Sequence, residues 1–453
     1  MSFRHGIGPD KYENAFALDM LQLHEFASLV NEGSPHLLIR VANALSNGFV
    51  DQRAQGRTEF IRACLRSLER SIRHRVKGRK QDIASARRQR NNPGRTRIAV
   101  LISGGLGDIL QRVPFIIRFE ELFSPEAVDL FLPARKLGDI ARIATSAMPF
   151  IRKVVNAQLL YKEATLAEYD LVIEIRHMLK YHVLNRWLLT DESPLRQTLA
   201  TAAQRCAPFE ILFDQVPRFD GMFGRLMASK GMNVAESCGY LGAVEVSRYD
   251  PVPLKIDAGT QAGLRERFDF FSRPYITLHE GFDIDTQLKY GMVRATRCWP
   301  LAHWSDLVRR LKEARPDLPI VQIGTKRSTV PVPGVDHMLL DQVSLLEATA
   351  IIAGGCLHLD SETGMVSVAW GHRRPTISIQ GPTASDYYQI GRTHSYYWKA
   401  CHGCWRIRED WMSRCVRELD EPECMHSIEP AFIAGEALRL LEAPHLSAQL
   451  VAE

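Results

Sequence analysis

At 453 residues the chain is longer than one hydrophobic core serves, so two or three domains are expected. Its 45% hydrophobic and 24% charged residues are those of a globular protein and exclude a disordered or fibrous chain. No run of about 18 apolar residues occurs and the first residues lack an apolar signal core, so the expectation is a cytoplasmic protein with no membrane-spanning segment. The nine cysteines, an odd number, point to reduced thiols rather than a disulfide framework.

The net charge of +5 is unevenly spread. Residues 53–97 hold fifteen Lys and Arg against Glu59, Glu69 and Asp82, a local excess of twelve that leaves about −7 for the rest. Residues 1–94 have helical apolar spacing, over Asn14–Val30, His36–Leu45 and Thr58–Val76. In the last of these Phe60, Ile61, Cys64, Leu65, Leu68 and Ile72 share one face. Asn91-Asn92-Pro93-Gly94 is a linker signal. The basic run reads as a solvated helix face, or as a surface for anionic lipid, an anionic acceptor or a partner subunit. Nucleic acid is the weakest partner, since neither interleaved aromatics nor a reader motif accompanies the charges.

From Arg97 the pattern changes. Ile98–Ile102 is a buried parallel strand by composition, Ser103–Asp108 is a glycine-rich turn, and Ile109–Phe123 is an amphipathic helix. This opens a Rossmann-like unit, although its spacing is not GxGxxG. Further strands are expected at Val128–Leu132 and Leu171–Ile175, with a helix from Leu137. Asp108 falls where the first strand meets the first helical turn, either facing a ligand crevice or serving as a carboxylate favoured by the helix dipole. Residues 191–255 read as the last helices of this domain and a linker, with a hinge at Pro251-Val252-Pro253.

A second alternation starts at Pro274–His279. A helix over His303–Ala314, a strand over Pro319–Gly324 and a helix over Ser344–Ala353 follow. Cys356–Leu359 is a short strand and Asp360–Gly364 a polar loop, followed by a helix at Met365–Trp370 and a strand at Pro375–Ile379 before Gly381-Pro382. A Ser/Thr/Gly loop entering a helix offers free backbone N–H groups, which suits a phosphate. Cys401, Cys404, Cys415 and Cys424 form C-x2-C-x10-C-x8-C, a pattern that fits a tetrahedral thiolate site or a set of reduced structural cysteines. Ile428–Leu441 is a last helix.

Five segments occur in an order that resembles the heptosyltransferase family, glycosyltransferase family nine. They are SGGLGDIL (103–110), RCWPLAHWSDL (297–307), LHLDSETGMVSVAW (357–370), ISIQGPT (377–383) and ECMHSIEP (423–430). The resemblance spans about residues 97–445. It implies an α/β chain of two Rossmann-like domains of the GT-B type, with an added helical, basic N-terminal segment. The implied division is residues 1–94, an acceptor-side domain at 95–255, a nucleotide-sugar domain at 256–427 and a helix at 428–453 crossing back to the first domain.

By the same resemblance, Asp108 matches the general base and Arg297 the basic residue that meets donor phosphate. Glu362-Thr363-Gly364, with Asp360 two residues before Glu362, matches the loop that meets the nucleotide-sugar. Gly105, Gly107, Gly381 and Thr383 complete the expected donor site. Two positions depart from the family: Glu362 stands where Asp is usual, and Ser367 where His is common. The reaction implied is inverting transfer, without a catalytic metal, from a nucleoside-diphosphate sugar (ADP-heptose favoured) to a lipopolysaccharide-type or protein acceptor. Protein-modifying members hold iron on four cysteines, so iron competes with zinc as a structural ion at 401–424. A homo-oligomer and peripheral contact with an anionic membrane are compatible with the chain. Two rivals remain: a nucleotide-sugar 2-epimerase on the same two-domain fold, and a non-catalytic binding protein on a degenerate transferase.

Overall fold

The first strand, β1 (Arg97–Ile102), is apolar on both faces, so it can only be an interior strand covered from both sides. Ile98, Val100 and Ile102 enter the main core, while Ala99 and Leu101 pack with Phe131 and Tyr169 on the opposite face. The computed structural model describes residues 96–160, 162–209, 212–213, 220–281, 296–326, 329–408 and 410–442. The N-terminal helices, the basic run before Thr96 and the stretch 282–295 lie outside the described residues.

After β1 come α1 (Leu106–Leu110), α2 (Val113–Phe123), β2 (Ala127–Leu132), α3 (Asp139–Ser146), β3 (Ile151–Asn156), β4 (Leu171–Ile175) and β5 (Leu179–Val183). The helices α4 (Arg196–Cys206), α5 (Asp220–Ser229) and α6 (Val234–Gly242) close this domain. Its sheet has the order β3-β2-β1-β4-β5, all parallel except the β4–β5 pair. The single helix expected over Ile109–Phe123 is instead two, broken at Gln111-Arg112. Pro114 explains the break: it lacks the N–H that a continuous helix would need there, and it sits in the first turn of α2, where that loss costs nothing.

The second domain contains α7 (Ala258–Arg267), β6 (Ile276–His279), α8 (Leu301–Ala314), β7 (Ile320–Gly324), β8 (His337–Leu340) and α9 (Leu345–Gly354). It continues with β9 (Leu357–Asp360), α10 (Gly364–Gly371), β10 (Thr376–Ile379), β11 (His394–Tyr396) and α11 (Pro430–Glu442). Its sheet, ordered β11-β10-β9-β6-β7-β8, is parallel throughout. The α9 start is fixed by a capping box: Ser344 accepts from the Glu347 N–H and Glu347 returns to the Ser344 N–H. Residues 443–453 of the helix expected to cross back to the first domain lie outside the described residues, which leaves α11. Its stripe Ile433, Ala434, Ala437 and Leu440 is buried in the second-domain core against α8, because that is the apolar face it presents. No described helix is long and apolar enough to cross a membrane.

Both sheets reverse their winding beside their first strand, between β1 and β4 and between β6 and β9. Such reversals open a crevice at the strands' carboxyl ends, where ligands of open α/β sheets bind. The two crevices face each other. α1 packs on α10, and a side-chain carbon added to Gly364 would lie 2.9 Å from the Gly107 nitrogen.

Candidate active site

On the first-domain side, the chain leaves β1 through Ser103-Gly104-Gly105. Gly104 has φ +107°, a conformation open to glycine, and a Cβ there would strike Asp108 at 2.5 Å. The Gly105 N–H donates to Asp108 Oδ2 at 2.8 Å, which fixes the carboxylate at the start of α1. Asp108 keeps a third of its side-chain surface exposed, while Arg112 one turn later is buried with its Nη1 3.9 Å from Asp108 Oδ1. Arg112 also donates to the Arg176 carbonyl at 3.2 Å, tying the site to the β4–β5 turn. A buried guanidinium beside a half-open carboxylate keeps that carboxylate oriented.

On the second-domain side, the loop after β9 rests on a buried polar network. Asp360 is fully buried; its Oδ2 accepts from the Thr363 hydroxyl at 2.7 Å and from His358 Nε2 at 3.2 Å. Thr363 has a single hydroxyl proton and gives it to Asp360, so His279 Nδ1, 3.2 Å away, donates to the same oxygen. The Thr277 hydroxyl faces His358 Nδ1 at 2.9 Å. Burial works against a charged Asp360, yet the His279 and His358 imidazoles beside it hold its carboxyl down to about 2. Thr363 is also the N-cap of α10, accepting from the Met365 N–H at 3.1 Å.

Glu362 sits between these elements at φ +59°, a left-handed conformation that costs a non-glycine residue energy. Burial pushes its carboxyl up, opposed by the Arg297 guanidinium and reinforced by the charges of Asp360 and Asp108. Ser361 Oγ, Ser367 Oγ and Arg297 Nε are enclosed without a hydrogen-bond partner among the described residues, while Thr383 stands against the Glu362 carboxyl. Buried polar atoms are ordinarily satisfied, so a cluster of orphans around one cleft marks a place built for a polar ligand.

The structure therefore gathers Gly105, Gly107, Asp108, Arg297, Glu362, Thr363 and Gly364 around the facing crevices, with Thr383 close to Glu362. Asp360 lies beneath the loop and holds it, rather than at its surface. Gly381 faces elsewhere: a Cβ there would meet Met425 Sδ at 2.4 Å and Cys424 Sγ at 3.1 Å. Sequence reading overlooked Arg112, His279 and His358. The signals were an arginine four residues after Asp108, and one histidine in each of two short apolar strands, ITLH and LHLD.

Cys401, Cys404, Cys415 and Cys424 are all buried and lie within electrostatic reach of one another. A hydrogen bond with Cys424, helped by the Arg417 guanidinium, draws the Cys401 thiol down, whereas burial pushes Cys404 up to about 12. Four thiols are the right donor set for zinc or iron and leave no open position for a substrate. Among the described residues, no three or more His, Cys, Asp or Glu side chains are arranged as a metal-holding group. The cysteine loop reaches both domains: Trp405 N–H donates to the Pro382 carbonyl at 2.7 Å, and Arg225 donates to the Trp405 carbonyl at 2.8 Å.

No protein-family profile matches the sequence, and no curated protein matches it. Solved structures do show similarity to it. The ADP-heptose lipopolysaccharide heptosyltransferase II of E. coli is 14% identical, with 76% of this chain and 98% of that chain covered and a TM-score of 0.47. The iron-containing dodecameric glycosyltransferase TibC of enterotoxigenic E. coli is 15% identical, with 77% and 79% covered and a TM-score of 0.49. A family-nine glycosyl transferase of Veillonella parvula is 13% identical, with 76% and 97% covered and a TM-score of 0.46. The structures this chain is similar to thus include heptosyltransferases and a member of glycosyltransferase family nine.

Proposed function

We propose that the chain is an inverting glycosyltransferase that moves a sugar, most simply a heptose, from a nucleoside-diphosphate donor to an acceptor hydroxyl. The observation that carries this reading is the set of polar atoms on Arg297, Ser361 and Ser367 that have no partner among the described residues, enclosed opposite the half-open Asp108. Two needs of the reaction are met by separate halves. The departing diphosphate needs fixed positive potential, which Arg297 and the amide end of α10 at Thr363-Gly364 supply. The acceptor hydroxyl needs a base, and Asp108 is accessible and held by Gly105 and Arg112.

In the step, the acceptor oxygen attacks the anomeric carbon as the bond from that carbon to the diphosphate oxygen breaks. The hydroxyl proton passes to the Asp108 carboxylate, and the nucleoside diphosphate leaves with the bonding electron pair. Direct displacement inverts the anomeric centre and requires no covalent enzyme intermediate. ADP as the nucleotide, a lipopolysaccharide-type or protein acceptor, a cytoplasmic site of action, and docking to anionic membrane through residues 53–97 complete the reading. A zinc or iron ion on the four cysteines would serve structure; it would hold the 401–424 loop together and take no part in transfer. Incubation with ADP-sugars tests the proposal: the expected result is ADP release with transfer of the sugar in inverted configuration. Sugar released and re-isomerised rather than transferred would favour an epimerase, and absence of turnover with every nucleotide-sugar would favour a binding protein.

A further inference from the structure

The cysteine loop carries a side chain that reaches further toward the cleft than its thiols do. Trp405, next to Cys404, is 2% exposed and stands where the two domains meet. Its main chain is tied to each of them. The N–H donates to the Pro382 carbonyl at 2.7 Å, and the carbonyl accepts from Arg225 of α5 at 2.8 Å. The indole lies against Tyr387 and Tyr388 of the second domain, with ring centres 6.1 and 5.2 Å away, and against His177 of the β4–β5 turn at 6.1 Å. The first domain makes room for it. Gly221 and Gly224 are three residues apart, on one face of α5. A Cβ on Gly224 would stand 2.6 Å from the indole, and one on Gly221 would stand 2.7 Å from the Trp405 carbonyl oxygen. Glycine weakens a helix, so two of them at this contact form a notch that only bare backbone provides.

Each neighbour of the indole leads to one side of the cleft. On the first-domain side, His177 follows Arg176, whose carbonyl accepts from Arg112 at 3.2 Å, and Arg112 Nη1 is 3.9 Å from Asp108 Oδ1. On the second-domain side, Pro382 precedes Thr383, which stands against the Glu362 carboxyl. Tyr388 joins the two: its ring is edge-on to the indole and lies within electrostatic reach of Asp108 and Arg112. Close-packed side chains pass a displacement on rather than absorb it. We propose that Trp405 is a positioning residue, which sets the distance between the Asp108 loop and the donor loop by seating the second domain in the α5 notch. Buried as it is, the indole meets no substrate, so its effect is on geometry alone. The consequence for transfer rests on the transferase reading, whereas the coupling between the two loops does not.

Two variants test this, one on each side of the notch. Trp405→Leu shortens the plug, and Gly224→Ala keeps Trp405 but puts a methyl group against the indole. Hydrogen exchange of the full chain, read by mass spectrometry, should be at least about tenfold faster at residues 103–112 and 176–178 in both variants, with β9 and α10 protected as in wild type. A merely local role would speed exchange only at 401–411 and in α5. With ADP-sugars, kcat should fall at least about tenfold while the donor KM stays within about twofold, since moving the base away from the donor costs rate rather than donor binding. Trp405→Phe, which keeps a ring in the notch, should recover most of both losses. Wild-type exchange at 103–112 in both variants overturns the inference, and so does a loss of donor affinity equal to the loss of kcat. Should Trp405→Leu fail to fold, Gly224→Ala and Trp405→Phe decide by the same readings. If wild-type protein turns over no ADP-sugar, the transferase reading falls, and hydrogen exchange still decides whether Trp405 positions the Asp108 loop.

Discussion

The two crevices that meet at the cleft are built on different principles. The first-domain loop holds the Asp108 carboxylate by a local amide and a buried arginine, and leaves a third of that carboxylate's surface open. The second-domain loop stands on Thr277, His279, His358 and Asp360, which are buried and bonded to one another. The difference teaches where order is required. On the proposed transferase reading, a diphosphate is met by dipoles fixed in advance, whereas an acceptor hydroxyl needs a base that solvent-side groups can approach.

The sharpest way to break that comparison is at its open side. Asp108→Asn should lower turnover at least about 100-fold with donor affinity almost intact, the usual scale for losing a general base. Steady-state kinetics with wild-type-like kcat would take Asp108 out of the chemistry. A smaller effect belongs to the buried side. Asp360 is held at about 2 in the folded protein against 3.8 otherwise, so its contribution is complete above 3.8 and is lost as pH falls through 2. That contribution is roughly 2 kcal/mol. Asp360→Asn should remove this part of the acid dependence, and urea unfolding of both proteins between pH 6 and pH 2.5 would show parallel curves if the network carried no charge.

Smaller again, Arg297→Ala should weaken free ADP roughly tenfold, in line with about 1.5 kcal/mol for a hydrogen bond to a charged group. Calorimetry giving unchanged affinity would move the diphosphate elsewhere. Thr363→Val deletes the N-cap and the Asp360 contact, and should cost about 1 kcal/mol in stability together with some fivefold in ADP affinity. A melting temperature and ADP affinity both equal to wild type would show that the network does not reach the ligand. At the cysteine loop, Cys404→Ser should lower metal content as measured by elemental analysis, where wild type should carry about one ion per chain.

The repeating strand–helix pattern was legible wherever a strand is buried on both faces, as in IAVLI, LHLD and TISI. It failed at β3, whose IRKVVN carries Arg152 and Lys153. Those charges belong at a sheet edge, where both pair with the buried Asp129 of β2. β5 was missed for the same reason, since LKYHV alternates polar and apolar residues on the other edge. In the site, Asp108 and Thr363 could be found because turn chemistry surrounds them. His279 and His358 could not, because one histidine in an apolar strand has no pattern until the neighbouring strand is known. Arg112 stands four residues after Asp108, but its anchor, the Arg176 carbonyl, is 64 positions away.

The glycine pair at the domain contact limits how this cleft can diverge. Gly107 and Gly364 touch through backbone alone, and a methyl group on either would come within 3.0 Å of the other residue's main chain. Neither position can therefore gain a side chain without forcing the two halves apart. Change in the cleft must arise around that contact, at residues such as Glu362, Ser367 and Thr383, whose side chains can change while the spacing between the loops that carry Asp108 and Thr363 stays fixed.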